Sequence, residues 1–192
     1  MRKIITSEYV TVDGVMQAPG DPKEFKYGGW VFKLNDEQAM KEGGKYASEQ
    51  LFSCDTLLLG RITYEGFAKA WPNMKDDSGF ANKMNSMKKY VVSNTLDKLE
   101  WSNSTLIKGN IVEEILKLKQ QPGKDILIYG SGELVNTLMH NNLIDEHRLW
   151  VYPVVLGSGK RLFREGVDIT TLKLVDTKKF GGVILLCYQP AK

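Results

Sequence analysis

Apolar and polar positions divide this chain into short apolar runs and stretches with helical spacing. Lys3–Val12 reads as a strand that stops at the turn signal Asp13-Gly14. Residues Gln17–Gly29 hold two prolines and three glycines and read as a loop. A helix is expected from the N-cap Asn35, with Asp36 and Glu37 in its first turn, running toward Phe52 and weakened by Gly43-Gly44. Asp55–Gly60 is a short continuous apolar run, the pattern of a strand covered on both faces. Thr63–Ala70 reads as a helix stopped by Trp71-Pro72, and Phe80–Asn85 as a second short one.

Lys89–Ser93 and Ser104–Lys108 follow as strands, and Ile111–Leu118 presents a helical apolar face that ends before Pro122-Gly123. A strand at 125–129 leads through two glycines into a helix at 132–141. Three β-rich segments close the chain: Glu146–Leu156, Leu172–Phe180 and Val183–Gln189, the last two joined at Gly181-Gly182 as a hairpin. Strands alternating with helices predict an α/β fold with helices on both faces of a mostly parallel sheet. The closing hairpin makes that sheet mixed. No composition break marks a second domain, so residues 1–192 are read as one.

Composition narrows the function. The formal net charge is +3, with lysines scattered along the chain, too weak and too dispersed for a nucleic-acid surface. No apolar run approaches the ~20 residues of a membrane span. No basic-then-apolar leader opens the chain, and two cysteines, Cys54 and Cys187, stand in no metal or redox spacing. A reducing cytoplasm with two buried thiols is the expectation. His140 and His147 have no neighbouring cysteines, so no metal site is expected; both are read as surface or helix-end residues.

The chemistry gathers at strand ends. Gly130-Ser131-Gly132-Glu133 begins like a dinucleotide fingerprint but carries Val135 where the last glycine belongs, and it lies far along the chain. It is either a tight turn or a place where backbone and helix N–H groups meet an anion. Gly60-Arg61-Ile62-Thr63 repeats the arrangement. There Arg61 can fork a phosphate or pair on the surface, and Thr63 can cap the helix. Ser93-Asn94 ends a third strand with small polar groups. Ligands of open α/β sheets bind at such strand ends, and three of them suit one long polyphosphate ligand, a dinucleotide.

These motifs resemble those of the dihydrofolate reductase superfamily, and in particular the reductase domain of the bacterial bifunctional riboflavin-biosynthesis protein and its stand-alone relatives. Thr11-Val12-Asp13-Gly14, Leu59–Tyr64, Tyr129–Glu133 and Leu143–Gly159 carry the resemblance in order along nearly the whole chain. It implies a three-layer dihydrofolate-reductase-like fold and NADPH as cofactor. Gly60, Arg61 and Thr63 would hold its phosphates, Ser93 and Asn94 would lie near the adenosine-ribose phosphate, and Gly130, Ser131, Gly132 and Glu133 would bind the pyrophosphate. A homodimer is common in such proteins.

Dihydrofolate reductases carry a first-helix carboxylate, and neither Asp36 nor Glu37 registers on it. The riboflavin reductase carries an A-D-D-P-type segment where this chain has Gly60–Thr63, and the zinc ligands of its deaminase partner domain are missing. The Thr11–Asp13 turn and the loop through Trp30 are the candidates for the nicotinamide end. Asp13 would act on the substrate or simply close its turn; Trp30 would stack on a flat ring or anchor the core; Lys160 would meet a substrate phosphate or decorate a loop. The expected activity is hydride transfer to a small heterocycle. The alternatives are reduction of a folate or another carbonyl or imine, and an NADP-binding module without turnover.

Overall fold

The computed structural model describes residues 1–166 and 169–191. Eight strands form one sheet in the order β4-β3-β2-β5-β1-β6-β8-β7. They are β1 (Ile4–Thr11), β2 (Cys54–Gly60), β3 (Lys88–Val92), β4 (Ser104–Ile107), β5 (Asp125–Tyr129), β6 (Glu146–Tyr152), β7 (Leu172–Phe180) and β8 (Val183–Pro190). The helices are α1 (Glu37–Ser53), α2 (Arg61–Ala70), α3 (Phe80–Ser86), α4 (Ile111–Gln120) and α5 (Gly132–His140). The six strands from β4 to β6 run parallel, and β8 runs against both β6 and β7. The fold is thus the expected three-layer, mixed and mostly parallel one with a C-terminal antiparallel hairpin.

From β1 the chain steps outward through β2, β3 and β4. It then returns to lay β5 between β2 and β1, and ends this series with β6 on the other side. Crossovers of one hand therefore put the outward and returning helices on opposite faces. Side-chain alternation in the strands fits this. Leu57, Leu59, Ile5 and Leu127 pack with Leu51 of α1, Tyr64 of α2 and Met84 of α3. Leu58, Ile4, Ile126 and Ile128 pack with Ile115 of α4 and with Leu134, Val135 and Leu138 of α5. A third cluster seats α1 on the hairpin through Tyr46, Trp150, Phe180 and Leu185.

Some boundaries differ from the sequence reading. Asp36, not Asn35, caps α1: its carboxylate accepts the Ala39 N–H at 2.8 Å, while Asn35 sits in a left-handed turn at φ 42°. The same carboxylate accepts the Gly182 N–H at 2.8 Å, which ties the helix start to the hairpin turn. Helix α1 runs through Gly43-Gly44 to Ser53, as expected; a Cβ on Gly43 would lie 3.3 Å from the Trp150 ring, so the glycine lets the helix approach the sheet. Strand β6 stops at Tyr152 rather than Leu156, because Pro153 offers no N–H to continue the ladder.

Leu127 lies in the middle of this arrangement, fully buried between Ile5 and Leu57 on the neighbouring strands. Leu127→Ala is expected to lower stability by about 2–5 kcal/mol, the cost of deleting a packed leucine in a rigid core. Urea denaturation would show it as a lower midpoint with an unchanged slope.

Candidate cofactor site

Parallel pairing brings the carboxyl ends of six strands to one edge of the sheet. Neighbouring ends are joined there by polar groups. Asn94 Oδ1, after β3, accepts the Gly109 N–H after β4 at 3.3 Å. Between β2 and β5, the Gly60 N–H donates to Ser131 Oγ at 2.9 Å, and the Ser131 N–H donates to Thr63 Oγ1 at 2.9 Å. Between β1 and β6, Asp13 accepts the Leu156 and Gly157 N–H groups at 3.3 and 2.8 Å.

The β2/β5 join is where the helices part. Helix α2 leaves Gly60 toward one face and α5 leaves Ser131 toward the other, so a crevice opens between two helix N-termini. Elsewhere oxygens occupy the first-turn amides: Asp36 at α1, Asp76 at α3 and Asn110 at α4. At α2 and α5 no side chain caps the helix. Both helices therefore present amide donors and a positive dipole end to the same opening. Gly130 and Ser131 form the turn, both left-handed at φ 58°. A Cβ on Gly130 would come within 3.0 Å of Thr63 Oγ1, and one on Gly132 within 2.6 Å of the Met16 sulfur.

The expected residues fall into groups. Gly60, Thr63, Gly130, Ser131 and Gly132 meet directly. Thr63 does not cap α2, which begins at Arg61 behind Gly60; its hydroxyl instead holds the β5 loop. Arg61 lies at the rim, half-exposed and paired with Glu65 at 3.0 Å. Glu133 pairs with Arg164 beside an open groove of about 430 Å³ that Lys160 and Arg161 also line. Ser93 is buried and its hydroxyl accepts the Thr95 and Leu96 N–H groups at 3.1 Å.

On the other side of β5, Thr11 donates its hydroxyl to Asp13 at 2.6 Å and accepts the Val15 N–H at 2.9 Å. The Thr11 hydroxyl, with the Gly157 and Leu156 amides, holds the Asp13 carboxyl below its ordinary range, so it is ionised and accepts. Trp30 is 0% exposed, donates to the Gln17 carbonyl at 2.9 Å and meets Tyr152 edge-on. Lys160 is tied in through its backbone, whose N–H donates to Gln17 Oε1 at 3.1 Å and whose carbonyl accepts from Met16 at 2.9 Å.

Three groups went unread in the sequence. Glu8, inside β1, is 1% exposed and takes the Thr6 hydroxyl at 2.6 Å; burial pushes its carboxyl well above the usual range. A charged residue amid Ile4, Ile5 and Val10 was the available signal. Tyr129 OH and Gln50 Nε2 are buried without a hydrogen-bond partner among the described residues. His147 is not at the surface: it is 1% exposed, and burial lowers it to about 4.

The family described as the RibD C-terminal domain matches residues 2–186. The chain belongs to that family. Among proteins similar to it is the uncharacterized YyaP of Bacillus subtilis (strain 168), 38% identical over 139 residues, 70% of this chain and 73% of that protein. The fold is also seen in solved structures. A candidate riboflavin biosynthesis protein of Shewanella sp. PV-4 matches with TM-score 0.74 at 19% identity, over 100% of both chains. An Enterococcus faecalis dihydrofolate reductase complexed with NADP(H) matches with TM-score 0.54 at 17% identity, over 99% of this chain and 97% of that one. At such identities the likeness is one of fold. No helix among the described residues is long and apolar enough to cross a membrane.

His147 makes acid stability testable. A folded value of about 4 against an ordinary 6.5 means the folded state binds fewer protons. Its contribution is complete above pH 6.5 and is lost as pH falls toward 4. His147→Leu is expected to remove on the order of 3 kcal/mol of this acid destabilisation. The check is the chemical-denaturation stability of both proteins from pH 7 to pH 4.

Proposed function

We propose that this protein is an NADPH-dependent reductase that passes hydride to a small heterocyclic substrate, in the manner of 5-amino-6-(5-phosphoribosylamino)uracil reductase. One observation carries the reading. Two uncapped helix N-termini face a single crevice whose lips are glycines and whose two sides are joined through Ser131 and Thr63. That donor set fits a pyrophosphate. Gly60, Thr63, Gly130, Ser131 and Gly132 would hold it, with Glu133 at the helix start. Arg61, Ser93 and Asn94 would serve the adenosine-ribose phosphate on the β3 side.

The cofactor, when bound, supplies the hydride. The chain's part is to orient and to exclude water. Met16 rests on Gly132 and would close over the pyrophosphate loop. Thr11 and Asp13 hold the β1 turn against the 156–157 backbone, and in this reading they and Lys160 meet the substrate. Trp30 and Tyr152 give that side an aromatic wall, with Trp30 acting from behind as its support. The acids of α1 at Glu37, Glu42 and Glu49 are exposed, and none faces the sheet, which disfavours a folate as substrate. A cytoplasmic homodimer of single-domain subunits is part of the proposal.

A second reading, an NADP-binding module without turnover, draws support from Asp13. Its carboxylate is ionised and engaged with three donors, which leaves it poorly placed to give a proton. NADPH oxidation at 340 nm with a panel of heterocycles separates the readings; turnover with any of them sinks the module.

Titration tests the cofactor itself. NADPH is expected to bind in the micromolar range and NADH more weakly. Arg61→Ala is expected to weaken NADPH about tenfold, the scale of one charge-assisted phosphate contact, and to leave NADH nearly unchanged. Equal binding of both nucleotides by the wild type would remove Arg61 from the site. Light scattering at micromolar concentration is expected to give twice the 21.7 kDa chain mass.

A further inference from the structure

The start of α5 has a neighbour on each side. Toward β2 stands Gly60 at the start of α2, whose N–H donates to Ser131 Oγ. Toward β1 runs the segment 160–165, pinned from two directions. Arg161 bridges Val15, just past the β1 turn. The Met16 N–H donates to the Lys160 carbonyl at 2.9 Å, and the Leu162 N–H to the Gly14 carbonyl at 3.0 Å. From α5 itself, Asn136 Nδ2 donates to the Leu162 carbonyl at 2.6 Å. Shortly beyond that anchor, Arg164 pairs with Glu133 in the first turn of α5. The groove of about 430 Å³ at this point is lined by Glu133, Lys160, Arg161, Phe163, Arg164 and Glu165.

The Glu133 and Arg164 side chains are 78% and 47% exposed, and a pair so open to water adds little to stability. Beside an anion the pair matters more. A carboxylate in the first turn favours the free helix, because it meets the positive dipole end. The same carboxylate repels a phosphate drawn to those amides. Arg164 cancels that charge. Glu133 engages one terminal nitrogen of the guanidinium, which leaves N–H donors for a second oxyanion. Lys160 and Arg161 form no ion pair among the described residues, so the groove carries three cations against two carboxylates. An anion lying along the start of α5 would thus find Arg61 toward β3 and Arg164 toward β1.

We propose that Arg164 is the cation that meets the pyrophosphate of a bound dinucleotide on its nicotinamide side, and that Glu133 acts through Arg164 as its tether. The assignment rests on the cofactor reading above.

Fluorescence titration with NADPH and NADH tests it, since both carry the pyrophosphate. Arg164→Ala is expected to weaken the two nucleotides alike, each about tenfold, the scale of one charge-assisted contact. Arg61→Ala, by contrast, acts on NADPH alone. The thermal midpoint of Arg164→Ala is expected to stay within about 4 °C of wild type, as for any exposed pair; Arg164→Gln replaces it should the midpoint fall further. Glu133→Gln is expected to change either affinity less than about threefold in the wild-type background. Added to Arg164→Ala it removes an unneutralised carboxylate, and about threefold or more of the lost affinity should return. Unchanged affinities in Arg164→Ala would overturn the assignment, as would a loss confined to NADPH or strict additivity of the two substitutions. Wild type that binds neither nucleotide removes the cofactor reading and the role of Arg164 with it. Wild-type binding with an unaltered Arg164→Ala removes the role alone.

Discussion

The insertion of β5 between β2 and β1 is the constraint on which the rest depends. It makes β2 and β5 neighbours although α2 and α5 leave them toward opposite faces. Backbone must separate there, and two helix ends must face the gap. The hydrogen bonds between Gly60, Ser131 and Thr63 keep that gap at fixed width. Without them, two loops of small residues would have little to define their spacing.

The edge also concentrates the protein's costly features. Glu8 and His147 are buried, and Asn136 Oδ1 and His147 Nδ1 lack partners among the described residues. Ser131 holds a left-handed backbone that an L side chain adopts at some expense. Polar groups at this depth weaken the fold relative to an apolar core. Glu8 and Ser131 lie where β5 ends beside β1, at the crevice, whereas Leu57, Leu58, Leu59 and Ile126 line the central strands with hydrocarbon. Stability is drawn from the middle of the sheet and spent at its edge.

Much of this was legible along the chain. The continuous run at Leu57–Leu59 implied a strand with both faces covered, and Gly181-Gly182 marked the hairpin. Gly60 and Gly130 stood out because glycine between a strand and a helix has few other uses. The cap of α1 was misplaced by one residue, since Asn35 and Asp36 are chemically equivalent as caps and only backbone geometry separates them. Gly43 has a use that no local pattern shows, since a Cβ there would crowd the Trp150 ring.

The sequence by itself determined the order and type of the elements, because hydrophobic period and turn chemistry are local properties. It also marked the loops able to approach an anion. Only the tertiary structure decided that Ser131 bonds Gly60 and that Thr63 holds the opposite loop. These pairs are separated by scores of residues or by a strand boundary, and no local pattern encodes them. Nor could local pattern place His147 inside: its ring meets Phe163 from a distant loop, and an isolated histidine reads alike in core and on surface.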